Sequence, residues 1–152
     1  RKEWLPCLIA AEQSAVVGLA DQIQKDCTVR NLALPASGLG VLTMQDGAFN
    51  ESYFLGEFPL AQAHVELTTE KGETTRGAAH VMSDDQQYAR ALAILDAALI
   101  AGIDGAESIQ TLVAGGQERR AKHKRERKAI LARTRVDFAE LSTADGDDGD
   151  DN

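Results

Sequence analysis

Residues 60–102 read LAQAHVELTTEKGETTRGAAHVMSDDQQYARALAILDAALIAG, and they decide the fold class. From Leu60 to Thr69 the chain alternates, with Ala61, Ala63, Val65 and Leu67 on one face. A period of two marks a strand with one side on a core. Lys71-Gly72-Glu73 reads as a turn, and Thr75 to Met82 as another strand. The period then changes. Ser83 with Gln86 has the spacing of a capping box, and Asp84 and Asp85 suit the positive end of a helix dipole. Tyr88, Ala91, Leu92, Leu95, Ala98 and Leu99 recur at helical intervals, and Gly102 is a natural stop.

Working outward, Tyr53 to Phe58 reads as a strand, preceded by an Asp46-Gly47 turn. Val41 to Met44 is a shorter strand. Pro35-Ala36-Ser37-Gly38 reads as a turn, and Thr28 to Leu34 as the first strand. Five strands result, and short loops pair them antiparallel. Upstream, residues 3–11 hold Trp4, Leu5, Leu8 and Ile9 on one helical face, with Pro6 in the first turn. Ser14 is placed to cap a second helix reaching about Lys25. Downstream, residues 106–114 suggest a short helix that Gly115-Gly116 breaks. The expected class is α+β: an antiparallel sheet of about five strands, N-terminal helices, a long helix and a basic C-terminal helical arm.

The chain has 152 residues, enough for one core. Its 43% hydrophobic and 26% charged content is ordinary for a globular protein. With 5% aromatics, that core rests on Ala, Leu, Ile and Val. No apolar run is long enough for a membrane helix. Residues 1–15 lack the pattern of a secretory leader, and none is expected. The chain opens at Arg1, so a few preceding residues are expected. Cys7 and Cys27 are too few for a disulfide framework and suit a reduced, cytoplasmic setting.

The net charge of −8 is unevenly spread. Residues 1–118 carry seven basic and sixteen acidic groups. Residues 119–135 carry nine basic groups, from Arg119 to Arg135, against Glu126 alone. Residues 136–152 carry seven acidic groups and no basic one. The expected organisation is a core domain over 1–116, a basic arm over 117–142 and a disordered acidic tail over 143–152. Between 117 and 128 Ala121 is the sole apolar residue, and a helix polar all round is not held by its own core. Ile130, Leu131, Val136, Phe138 and Leu141 follow and are candidates for burial.

Few residues suggest chemistry. His64, His80 and His123 stand in no ligand spacing, so no metal site is expected. His64 and His80 read as sheet-face residues, and both cysteines as buried thiols. Gly38-Leu39-Gly40 precedes a strand and not a helix, which argues against a phosphate cradle. Glu57 and Glu66 flank a predicted hairpin and read as solvated. The tail is acidic but lacks calcium-loop spacing. Gly115-Gly116 leading into Arg119 and Arg120 is a conceivable anion site. Nucleic acid is disfavoured by the missing aromatics and the acidic body.

Several segments together resemble a known family, the G subunit of the bacterial carbon–phosphorus lyase system (PhnG). They are the Arg1-Lys2-Glu3-Trp4-Leu5 opening, the helix from Ala15 to Ile23, Tyr53-Phe54-Leu55-Gly56-Glu57, Val65-Glu66-Leu67, and the Asp85 to Ala98 helix with Leu95-Asp96-Ala97. The most specific is Thr134-Arg135-Val136-Asp137-Phe138. Order and gaps match over about residues 1–141. Where family members often show Gly-Arg-Asp before the long helix, this chain has Ser83-Asp84-Asp85, so a phosphate role for that arginine does not carry over.

The resemblance implies a cytoplasmic accessory subunit of a complex with the H, I and J subunits. With H, I and the L protein it would be needed to make α-D-ribose 1-methylphosphonate 5-triphosphate from ATP and methylphosphonate, releasing adenine. It implies chemistry mainly on the I subunit and an iron–sulfur cluster on J. No catalytic residue, metal ligand or cofactor is therefore expected in this chain, ATP being a substrate of the complex. The expected partner contacts are Arg119, Arg120, Arg133, Arg135, Asp137 and Phe138. Two rivals stand beside this: a free-standing enzyme binding a phosphorylated small molecule at Gly115-Gly116, and an RNA-binding accessory domain.

Overall fold

A computed structural model describes residues 4–103 and 106–134. It divides into two units, 1–120 and 121–152. In chain order the elements are α1 (Trp4–Ile9), α2 (Gln13–Asp26), β1 (Thr28–Gln45), β2 (Ser52–Thr68), β3 (Thr74–Val81), α3 (Gln86–Ala101) and α4 (Ala106–Arg133). The class is α+β, with an antiparallel sheet ordered β1-β2-β3. Among the described residues, no helix is long and apolar enough to cross a membrane.

Three strands replace the expected five. The first two expected strands are halves of β1, which runs straight through Pro35-Ala36-Ser37-Gly38. The third and fourth are halves of β2, which runs through Pro59. Local turn signals yield here to the cross-strand ladder. Proline is tolerated where its missing N–H faces no neighbour. β1 is an edge strand, and β3 pairs with β2 only from Ala61 onward, so Pro59 has β1 as its one ladder neighbour. Register shifts between Asn31 and Ala36 accommodate Pro35 within the pairing. Glu57 and Glu66 therefore do not flank a hairpin; both lie on β2.

The other two expected turns do form. At Asp46-Gly47 the Asp46 carboxylate accepts from the Phe49 N–H at 2.8 Å, and Asn50 takes a left-handed φ of 57°. Gly72 takes φ 81° in the β2–β3 turn.

The core is one face of the sheet against α3. Ala61, Ala63, Val65 and Leu67 of β2 and Ala79 and Val81 of β3 are buried against Leu92, Ile94 and Leu95 of α3. Val16, Ala20 and Ile23 of α2 close one flank. The low aromatic content has a visible consequence, because small residues let backbones approach. A Cβ on Gly77 would meet the Ala93 carbonyl at 2.0 Å and the Ala97 N at 2.6 Å. Asp96, only 2% exposed, accepts from Trp4 Nε1 at 2.8 Å and from the Ala78 N–H at 3.1 Å. It ties α1, α3 and β3 together. Arg90 donates to Gln24 Oε1 and Asn31 Oδ1, binding α3 to α2 and β1.

The caps differ in detail. The N-cap of α3 is Asp85, whose carboxylate accepts from the Gln87 and Tyr88 N–H groups, while Ser83 Oγ accepts from the Asp85 N–H. A carboxylate two residues closer to the helix displaced the expected capping box. Glu12, not Ser14, is the N-cap of α2, and Ser14 donates to the Glu12 carboxylate. Gly102 ends α3 in the left-handed region, as expected.

Gly115-Gly116 does not break a helix. α4 runs through it from Ala106 to Arg133. The pair serves packing: Gly116 is buried, and a Cβ there would meet the Cys7 carbonyl at 1.9 Å. Close helix approach supplies what the missing propensity withholds.

Candidate functional site

The rival anion site at Gly115-Gly116 does not form, because α4 is continuous there and its mid-helix N–H groups already bond within the helix. Arg119 and Arg120 are exposed and belong to the first unit. Arg120 donates to Cys7 Sγ at 3.8 Å, so it engages its own chain. Arg133 is exposed in the second unit. Arg135, Asp137 and Phe138 lie outside the described residues, as do Val136 and Leu141. From Ala121 to Thr134 every described residue is exposed. Ile130 and Leu131 are among them, against the expectation that they bury. Lys122 and Glu126 sit 4.0 Å apart, a pairing of little worth on a solvated helix.

A second surface was not singled out in the sequence. β1 and β2 continue well past the part of the sheet that α3 covers, forming a two-stranded ribbon over residues 38–60. It exposes Leu39, Val41, Leu42, Met44, Phe49, Tyr53, Phe54 and Leu55, with Leu39 at 67% and Phe49 at 82%. Isolated exposed apolar residues are unremarkable, but a contiguous group marks an interaction surface. The available signal was parity. Leu39 and Val41 alternate with Leu42 and Met44, so both faces of the strand carry apolar groups.

Among the described residues, the remaining chemistry-bearing side chains do not form a reactive constellation. His64 and His80 stack at 5.9 Å on the open face of the sheet, as sheet-face residues should. Glu66 is clasped by Arg30 at 2.7 Å and Arg76 at 3.1 Å. Those two hydrogen bonds hold its carboxyl below the ordinary range. Glu57 is exposed, nine positions along the same strand. Cys7 is buried and Cys27 half-buried; both are free thiols.

A cavity of about 400 Å³ opens beside Cys27, lined among others by Leu19, Asp26, Glu70, Lys71, Glu73 and Ile103. Burial first, then the charges of Asp26 and Glu70, push the Cys27 thiol up and keep it protonated. Three carboxylates face one lysine in that lining. Such a field disfavours a phosphate or phosphonate. Among the described residues, no group of three or more His, Cys, Asp or Glu is arranged to hold a metal ion.

The family model described as phosphonate metabolism protein PhnG matches residues 1–143. No curated protein matches the chain.

Proposed function

The chain belongs to the PhnG family of phosphonate-metabolism proteins, and from that premise we propose that it is an accessory subunit of the carbon–phosphorus lyase core complex. In this reading it works in the cytoplasm with the H, I and J subunits. With H, I and the L protein it supports formation of α-D-ribose 1-methylphosphonate 5-triphosphate from ATP and methylphosphonate, with loss of adenine. It contributes shape and contact, and the reacting groups sit on other subunits.

One observation carries this reading. Helix α4 continues to Arg133 with no covered residue after Arg120, although it presents Ile130 and Leu131 and a dense row of cations. A helix polar nearly all round gains little from its own chain. Docking on an acidic partner surface would offset that deficit and fix its place. The acidic cavity agrees, since its sign is wrong for ATP or a phosphonate. The rival enzyme loses its proposed phosphate turn, which the continuous helix removes.

The test is a chain ending at Arg120, co-expressed with the H, I and J subunits. That end point retains the Gly116 and Arg120 contacts with Cys7, so an unchanged melting temperature is expected. Co-purification should fall at least tenfold. Full retention of the complex would overturn the docking role of the helix. Steep, salt-dependent RNA binding by the full chain would favour the RNA-binding rival.

A further inference from the structure

The ribbon of residues 38–60 is apolar on both faces, and its pairing shows which residues share each face. Ser37 pairs with Ala61, a core residue, so Ser37, Leu39 and Val41 continue the core side of the sheet. One extra residue, Leu55, enters β2 at the register shift beyond Leu42. Phe54 then pairs with Thr43 and joins the same side. Leu42, Met44, Tyr53, Phe58 and Leu60 occupy the other side, with the Phe58 ring lying over Gly40.

Helix α3 reaches only the start of this ribbon, where Gln86 donates to Ser37 Oγ at 3.0 Å. Beyond that point neither face is covered within the described unit. A lone two-stranded ribbon is marginal in water, and this one also leaves apolar groups wet on both sides. Its charge has one sign: Asp46, Glu51 and Glu57, with no lysine or arginine between 38 and 60.

Resting on the subunit reading above, we propose that this ribbon inserts between two apolar walls of a cleft in another subunit of the complex. The cleft carries lysine or arginine where Asp46, Glu51 and Glu57 arrive. A second copy of this chain fits poorly. Its ribbon repeats the same negative charge. Its basic helix is a single rod whose exposed large apolar residues over 121–134 are Ile130 and Leu131, so it covers at most one face. Two apolar faces with one sign of charge require two walls and opposite charge.

The experiment places a photo-crosslinking benzoylphenylalanine at Val41 or at Tyr53, on opposite faces, in the full chain co-expressed with H, I and J. Both positions are exposed, so folding should be unaffected. Both should crosslink to the same subunit, and that subunit should not be this chain. Separately, the pair Glu51→Lys and Glu57→Lys should weaken recovery of the complex at least tenfold, with a melting temperature of the lone chain within a degree or two of the parent. A complex that assembles with crosslinks from one face only, from neither, or only to a second copy overturns the ribbon proposal and leaves the subunit reading standing. Failure of the unsubstituted chain to join H, I and J overturns both.

Discussion

The β1–β2 hairpin is one pair of strands with two fates. Near the body, Ala61, Ala63, Val65 and Leu67 lie under α3 and are buried. Farther out, the same core-side face carries Leu39, Val41 and Phe54 into solvent. Backbone pairing is continuous between the two regions, so the ladder does not explain the difference. What changes is the length of the helix layer. The base is a sheet with a lid, and the tip is a sheet without one. Apolar patterning therefore reports where a surface is covered, without saying whether its cover lies in the same chain.

The sharpest way to break this comparison is to remove one leucine from each region. Leu67→Ala at the base opens a cavity in a fully buried site and should cost about 3 kcal/mol. Leu39→Ala at the tip should cost under about 0.5 kcal/mol in the isolated chain, because its side chain is already wet. Urea unfolding of the purified chain measures both. Equal losses would mean that the tip is packed on something in the lone protein.

Glycines sharpen the same contrast from the opposite direction. Gly77→Ala drives a methyl into the α3 backbone and should cost about 2 kcal/mol. A Cβ on Gly38 meets nothing within 4 Å, so Gly38→Ala should shift the unfolding midpoint barely at all, or slightly upward. If Gly77→Ala is as mild, α3 and β3 are not held at the distance described.

The base was legible in the sequence and the tip only partly so, for physical reasons. Period two in 61–67 and the helical stripe after Ser83 arise from a local face meeting a core, so they survive as pattern. The long strands were hidden by Pro35 and Pro59, whose turn signals are local while the pairing that overrides them is not. Gly115-Gly116 failed as a breaker because its consequence depends on Cys7, more than a hundred positions away. Five of the six expected contact residues carry charge and the sixth, Phe138, is an apolar anchor beside them; a search that starts from the charged segment is blind to an apolar ribbon elsewhere. No spacing announced Asp96 as the tie between α1 and β3; a lone Asp within the otherwise apolar run from Ala91 to Ala101 was the one signal present.

That tie supplies the next test. Asp96→Asn keeps one acceptor oxygen for Trp4 Nε1 or the Ala78 N–H and loses the charge that strengthens both bonds. The expected cost is about 1.5 kcal/mol. Loss of native tryptophan fluorescence, followed in urea, reports it directly, since Trp4 is the one tryptophan. A tip substitution such as Tyr53→Phe should leave that signal unmoved.

The smallest effect concerns the open side of the base, where Arg30, Glu66 and Arg76 form a row across all three strands. Hydrogen bonds from Arg30 and then Arg76 hold the Glu66 carboxyl below its ordinary value of about 4.3. A depressed folded-state pKa means that the unfolded chain binds the proton first. The contribution of Glu66 is thus complete above about pH 4.3 and fades as acid carries the solution through the lower folded value. Glu66→Gln removes that dependence. Urea midpoints for the two proteins should differ modestly at pH 6 and converge toward pH 3. Parallel curves across that range would show the arginine row to be solvated, leaving the helix-covered face as the source of the stability of the base.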